Sequence, residues 1–364
     1  MDPDVCYESY LTETTVLIRV VYFTMILVSI WCLFTVVKAI ATRKDRRMPV
    51  HPNFKIMVAN GCAVIIIHSA AIGVSNAVIL FNSLRATPTN CATIIDRLSC
   101  LGLRSLLMLS IPMFTCVHFM IFVERFVACM TKRNYETTGT TLGTSLAVTG
   151  WILSALTELY AIGRTDLSAT YIHCSITTDE NQHRMLIIFQ VLLWFDVLTT
   201  CGDGLLRILT VKNSRVSLAL RPKAQLSFST FSGYTLSQAY QRDENLRIMK
   251  MMFPIAGAFS AGHLMHSLTS YYVRTHFVVK TNGGETPEII ADGKTRLMAA
   301  LEAIQMLFMM TGVAVVHLYT RLGKKLKDEK DYEFGKKNSQ RHGDVYFSLF
   351  EKQIGGKQAR NITG

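Results

Sequence analysis

The chain has 364 residues, of which 50% are hydrophobic and only 18% are charged. Its mean hydropathy is positive, which is unusual for a soluble protein of this length and favours a membrane protein. The formal net charge of +12 would suit a nucleic-acid partner, but no basic motif with interleaved aromatic residues accompanies it, so nucleic-acid binding is not expected.

Residues 1–15, "MDPDVCYESYLTETT", are acidic and polar. No basic segment precedes the first apolar run and no small-residue cleavage site follows it, so the stretch does not read as a cleaved signal peptide. We predict that it forms an extracellular N-terminus.

Seven apolar stretches follow, each long enough to cross a bilayer as a helix. They cover residues 16–40, 54–82, 98–123, 142–163, 185–209, 248–273 and 295–320. Backbone amides in lipid must bond within their own segment, so these stretches are predicted to be helices and not open strands. The expected fold is an all-α membrane protein, with a seven-transmembrane helix bundle at residues 16–320.

The basic residues predict how this bundle is oriented. Most of the 38 Lys and Arg residues lie between the first two stretches, around Lys132, between Arg207 and Lys250, and after Tyr319. An excess of basic residues marks cytoplasmic segments, which places the N-terminus outside and the C-terminus inside. Residues 321–364 are then a cytoplasmic basic tail, which can attract anionic membrane lipids.

With this orientation, four cysteines lie outside or at the outer rim, where disulfides persist: Cys6, Cys91, Cys100 and Cys174. Four cysteines allow three complete pairings, and the spacing alone leaves all of them open. The other five cysteines fall in spans or inside, where they are expected to act as small packing residues.

Charged side chains inside the spans are expected to face the bundle interior, since a charge at the bilayer centre costs about 2.5–3.5 kcal/mol. Arg104 in the third span and Glu302 in the seventh lie near the depth where a pocket open to the outside would end. Both are candidates for ligand contact, with snorkelling or helix pairing as the alternatives. In the fifth span, Asp196, Asp203 and Arg207 lie along one helical face and could act together. The plain alternative is that Asp203 and Arg207 form an intrahelical pair.

His263 and His266 lie close together on the sixth span, in "GHLMHS". With Asp196 they could converge on a zinc ion, but no H-E-x-x-H or comparable motif is present. Histidines at helix interfaces more often bond to a neighbour, so we expect neither metal nor cofactor. His266 is a further candidate for ligand contact.

The sequence also contains no nucleophile elbow, phosphate loop or diagnostic pair of catalytic carboxylates, so an enzyme is not expected.

Glu124 and Arg125 lie side by side at the inner end of the third span. The pair resembles the Glu/Asp-Arg-Tyr signature of rhodopsin-like G-protein-coupled receptors, with Phe126 in place of tyrosine. In those receptors a cysteine at the outer end of this helix is bridged to the second outer loop, which implies a disulfide between Cys100 and Cys174 here. The plain alternative is that the pair marks the membrane boundary and that Arg125 neutralises lipid phosphate.

Four further segments resemble the nematode serpentine chemoreceptor superfamily, in particular class ab or a. They are "HPNFKIMVAN", "CLGLRS", "FVERFVA" and "TLSQAYQRDENLRIMK", and together they extend over more than half of the chain in the expected order. The seventh span lacks Asn-Pro-x-x-Tyr and the sixth lacks the Cys-Trp-x-Pro hinge. The activation rules of mammalian receptors therefore need not transfer.

The resemblance implies a chemosensory receptor in the plasma membrane, in the cilia of sensory neurons. Such a receptor binds a small external molecule within its helices and activates a heterotrimeric G protein. Arg125 would be held by Glu124, and by Asp243 or Glu244 at the foot of the sixth helix, until the ligand favours an arrangement in which that helix moves away.

Two other functions fit a chain with seven spans. A ligand-gated channel of the insect odorant-receptor type is also seven-helical, but its N-terminus is inside, opposite to the orientation that the basic residues predict. A metal-dependent membrane hydrolase would use His263 and His266.

Overall fold

The computed structural model describes residues 3–43, 51–131, 135, 139–163, 170–171, 174, 181–224, 236–276 and 287–360. In this part of the chain there are eight helices: α1 (Pro3–Glu13), α2 (Val16–Arg43), α3 (Pro52–Arg85), α4 (Arg97–Met130), α5 (Thr141–Ile162), α6 (Gln182–Ala224), α7 (Leu236–His276) and α8 (Pro287–Arg360). Two short strands, β1 (Ile95–Asp96) and β2 (Thr170–Tyr171), pair antiparallel with Ile95 opposite Tyr171.

Each of the seven predicted apolar stretches coincides with one helix, from α2 to α8, and the fourth extends one residue past the end of α5. This confirms the seven-transmembrane helix bundle. Within the described residues, α2, α3, α4, α5, α6 and α8 each contain a segment long and apolar enough to cross a membrane. The remaining predicted span lies in α7, which has polar side chains turned into the bundle. His263, His266 and Ser270 of α7 are all buried. These polar residues lower the hydropathy of α7, but their side chains are not exposed to solvent.

Two helices run well beyond the apolar stretches that predicted them. Helix α6 continues to Ala224 and α8 continues to Arg360, into the segment predicted as a basic tail. Lys, Arg, Glu and Gln have high helix propensity, so the backbone can stay helical after hydrophobicity ends. Hydropathy therefore located the spans but not the ends of these helices.

The helices form a closed ring around α4. Helix α2 packs against α3 and α8, and α7 packs against α6 and α8, while α4 contacts α3, α5, α6 and α7. Glycine allows a close approach between two helices of this ring. A Cβ added at Gly262 on α7 would lie 2.3 Å from the Cγ2 atom of Thr311 on α8, so the two backbones approach only because no side chain separates them.

The sequence did not predict helix α1. This helix packs across the end of the bundle where α3 ends and α8 begins, and it is bonded to both regions. Cys6 forms a disulfide with Cys91 in the loop after α3. The Ser9 hydroxyl donates to the Thr93 Oγ1 atom at 2.9 Å, and Lys294 of α8 forms an ion pair with Glu8. The acidic and polar N-terminal stretch is thus an ordered cap on this end.

A second disulfide, between Cys100 and Cys174, joins the start of α4 to the segment between α5 and α6. Among the three pairings that the cysteine count allowed, the structure has this bridge together with Cys6–Cys91. The β1–β2 pair lies in the same two segments and supports the same connection. The first turn of α4 is thereby held by a covalent bond and by backbone hydrogen bonds.

Candidate functional site

The C-terminal end of α4, predicted to be the inner end, holds a buried ion pair. Glu124 is 0% exposed and Arg125 is 2% exposed. The Nε and Nη2 atoms of Arg125 donate to the two carboxylate oxygens of Glu124. This two-bond, charge-assisted arrangement fixes the plane of the guanidinium group and satisfies both charges where water has little access.

Arg125 also connects α4 with two other helices. Its Nη1 atom donates to the Asn245 Oδ1 atom of α7 at 2.7 Å. The guanidinium carbon lies 5.1 Å from the centre of the Phe54 ring of α3, a distance at which a cation is attracted to the ring face. The contacts of Arg125 therefore hold α3, α4 and α7 together at this end of the bundle.

Tyr135, in the segment between α4 and α5, completes the surroundings of Glu124. Its hydroxyl donates to the Glu124 Oε1 atom. Burial, followed by the charge of Glu124, raises the pKa of Tyr135, so the phenol keeps the proton that it donates. The Tyr135 ring also lies 4.2 Å from the ring of His51, just before α3.

Sequence reasoning placed Glu124 and Arg125 here but did not identify Tyr135 or Asn245. The side chains of Asp243 and Glu244, predicted as partners of Arg125, lie outside the described residues. Asn245 directly follows them in "QRDENLR". The search for opposite charge passed over this residue, although an amide oxygen accepts from a guanidinium group as well.

The middle of the bundle contains a polar network centred on Asp196 of α6, which is 0% exposed. Its carboxylate accepts from the Thr115 hydroxyl at 2.9 Å, from the His118 Nδ1 atom at 3.2 Å and from the His263 Nδ1 atom. Because the carboxylate can only accept, both imidazole Nδ1 atoms carry a proton. The network links α4, α6 and α7, and it shares α4 and α7 with the contacts of Arg125.

Asp203 extends this network toward the inner end. Its Oδ2 atom lies 3.4 Å from the His118 Nε2 atom, so His118 is placed between two carboxylates. The predicted intrahelical pair of Asp203 with Arg207 is wrong. Asp203 faces His118, and Arg207 lies over the Phe253 ring of α7 at 5.2 Å.

The charged residues predicted near the outer rim meet each other. Arg104 of α4 donates from its Nη2 atom to the Glu302 Oε1 atom of α8 at 2.8 Å, and both residues are buried. This is the helix pairing that the sequence left as an alternative to ligand contact. Within the described residues, the Arg104 Nε atom and the Glu302 Oε2 atom have no hydrogen-bond partner.

His266 lies in an aromatic cluster on the interior side of α7. Its ring centre is 5.5 Å from that of Phe189, 5.3 Å from that of Phe308 and 6.4 Å from that of His263. His263 bonds to Asp196, as described above. In the part of the chain that the structure describes, no three His, Cys, Asp or Glu side chains are arranged to hold a metal ion.

The family model described as "Serpentine type 7TM GPCR receptor class ab chemoreceptor" matches residues 6–355, which is nearly the whole chain. No curated protein sequence matches the chain.

Proposed function

The chain belongs to the class ab family of serpentine seven-transmembrane chemoreceptors, and on this premise we propose that it binds a small external molecule and activates a heterotrimeric G protein. In this proposal residues 1–15 are extracellular, residues 16–320 form the receptor domain and residues 321–364 are cytoplasmic. The receptor is in the plasma membrane of sensory neurons, in their cilia, and its basic tail contacts anionic lipid.

The main support for the proposal is that neighbouring side chains enclose the guanidinium group of Arg125. Glu124 and Asn245 occupy three of its donor atoms, and Phe54 covers its face. An arginine so enclosed is not available to a partner protein. We take this arrangement as the resting state, in which α7 lies against α4.

Activation then requires α7 to separate from α4 at the inner end. Asn245 would leave the Arg125 Nη1 atom, which exposes one edge of the guanidinium group to a segment of the G protein. A ligand drives this change only to the extent that it binds the separated arrangement more tightly than the closed one.

The ligand is proposed to contact the outer half of the bundle, near Arg104, Glu302 and His266. The ion pair of Arg104 and Glu302 joins α4 to α8, and the ring of His266 on α7 contacts Phe308 on α8. A molecule bound among these residues would alter the packing of α7 against α8 and thereby favour or oppose its displacement.

A G-protein dissociation assay tests the proposal. Cells that express the chain are screened against volatile and soluble compounds, and Arg125→Ala is compared at equal surface expression. We expect at least one compound to dissociate the G protein in a concentration-dependent manner and Arg125→Ala to lose this response. A response in Arg125→Ala equal to that of the unsubstituted chain would contradict the assigned role of Arg125.

A further inference from the structure

A cavity of about 130 Å³ lies inside the bundle near its inner end. Ile121 lines it, one helical turn before Arg125 on α4, and side chains of α2, α3, α6, α7 and α8 complete its wall. The lining is almost entirely apolar and includes Ile65, Phe114 and Phe259. An apolar cavity of about 150 Å³ can stay dry and bind benzene, so this one has the size for a small organic molecule.

One side of the cavity is polar. Asp203 and His118 both line it, and the Asp203 side chain is 14% exposed. The one contact of the Asp203 carboxylate found among the described residues is with the His118 Nε2 atom at 3.4 Å. A carboxylate accepts several hydrogen bonds, and an acceptor facing apolar walls is costly unless a donor meets it. The chemistry of the cavity thus matches an apolar molecule that carries a hydrogen-bond donor.

The cavity extends to the lipid-facing surface beside α2. Ala39 and Ile40 of α2 line it, and Ile40 is 43% exposed on the outside of the bundle. Tyr319 of α8 lies on the same side and is half-buried. A molecule dissolved in the hydrocarbon region of the membrane could reach the cavity between α2 and α8.

We propose that this cavity is a second binding site, for a membrane-permeant molecule of about the size of benzene whose one hydrogen-bond donor faces Asp203. The site is separate from Arg104, Glu302 and His266, and its occupancy does not depend on G-protein coupling. A molecule in it contacts α3, α4, α7 and α8 together, one turn from Arg125, and so changes how readily α7 separates from α4.

Phenol and benzene are a matched pair of probes, because they differ by one hydroxyl donor. Thermal unfolding of the full chain in detergent micelles is measured with increasing concentrations of each. We expect phenol to raise the unfolding temperature saturably, with a dissociation constant about tenfold lower than that of benzene. Asp203→Leu should remove this preference. Equal effects of phenol and benzene on the unsubstituted chain would overturn the assignment of Asp203.

Filling the cavity provides the second arm of the test. Gly312 lines the cavity, and a Cβ added there would be 4.0 Å from the Ile65 Cγ2 atom, so Gly312→Val places its side chain in free space. Gly257→Val is the control, since a Cβ at Gly257 meets nothing within 4 Å and Gly257 is not part of the lining. Phenol should stabilise the control and not Gly312→Val.

Ala39→Phe fills the cavity from its lipid-facing rim and replaces Gly312→Val if that variant does not fold. Saturable stabilisation of either filled variant by phenol, equal to that of Gly257→Val, would overturn the proposal, because the binding would then lie elsewhere. Stabilisation without saturation in every variant would overturn it as well, since that is the behaviour of partition into the micelle.

Discussion

Two of the described contacts of Arg125 differ in strength. Glu124 is a buried counter-charge on the same helix, and loss of one member of such a pair costs about 3–5 kcal/mol. Asn245 is a neutral acceptor on α7, and a hydrogen bond to a charged group contributes about 1.5–3 kcal/mol. Of these two contacts the one between helices is the weaker, so Asn245 can leave Arg125 without breaking the ion pair.

Because the bond from Arg125 to Asn245 is the weaker of the two, ligand binding can supply enough free energy to break it. Coupling between two sites in a protein is typically about 1–3 kcal/mol, which is similar to the energy of the bond from Arg125 to Asn245. A hydrogen bond of this energy between Arg125 and Asn245 suits a switch driven by a small molecule.

Asp96 allows a test at the start of α4. Its Oδ2 atom accepts from the Ser99 amide at 2.9 Å as the N-terminal cap, and this bond lowers the pKa of Asp96 below 3.8. A lowered pKa in the folded state means that the stabilisation is present above about pH 3.8 and is lost as pH falls through the folded value. Asp96→Asn keeps the cap but does not titrate.

The measurement for Asp96 is the unfolding temperature of both proteins as a function of pH. The native chain should lose stability relative to Asp96→Asn as the pH falls below about 3.8. Parallel curves over this range would show that the carboxylate is not the cap.

At the scale of helices, we propose that α4 is the fixed element and α7 the movable one. Helix α4 is packed by four neighbours and held at its outer end by the Cys100–Cys174 disulfide. Helix α7 is joined to α6 by His263 and to α4 by Asn245, both through hydrogen bonds. The most extensive contact of α7 is with α8, and Gly262 allows the two backbones to approach closely there.

Gly262→Ala should disturb this α7–α8 contact. The added methyl group would lie 2.3 Å from the Thr311 Cγ2 atom, so the helices must separate, and we expect a loss of about 1–3 kcal/mol in the free energy of unfolding. Gly257→Ala on the same helix meets nothing within 4 Å and should not destabilise the protein. Thermal unfolding of the two variants measures the difference, and equal stability would contradict the close packing.

Hydropathy predicted the helices well because lipid imposes one rule on every span: the backbone must bond within itself. It did not predict α1, whose stability comes from the Cys6–Cys91 disulfide and from contacts with residues distant in sequence. For the same reason Tyr135 and Asn245 were missed. Both reach Glu124 or Arg125 only through tertiary packing, and no local pattern marks them.

At the scale of the whole molecule, most of the Lys and Arg residues lie in alternate segments between the spans and after the last span. This asymmetry predicts the N-terminus outside and the C-terminus inside. The disulfides Cys6–Cys91 and Cys100–Cys174 fit this orientation, because disulfides persist on the extracellular side.

Epitope tags at the two termini test the orientation. In intact cells an antibody should stain the N-terminal tag only, and the C-terminal tag should be stained after permeabilisation. Staining of the C-terminal tag in intact cells would reverse the bundle and place Arg125 at the outer face.

The central claim is that Asn245 holds α7 against Arg125. Spin labels at Met130 and Lys250, which are both exposed, report the distance between the inner ends of α4 and α7 by pulsed electron paramagnetic resonance, with the free cysteines replaced. We predict that Asn245→Leu adds a population at longer distance, whereas Asn245→Asp, which keeps an acceptor for Arg125, retains the short one. Identical distance distributions in Asn245→Leu and the unsubstituted chain would contradict the claim.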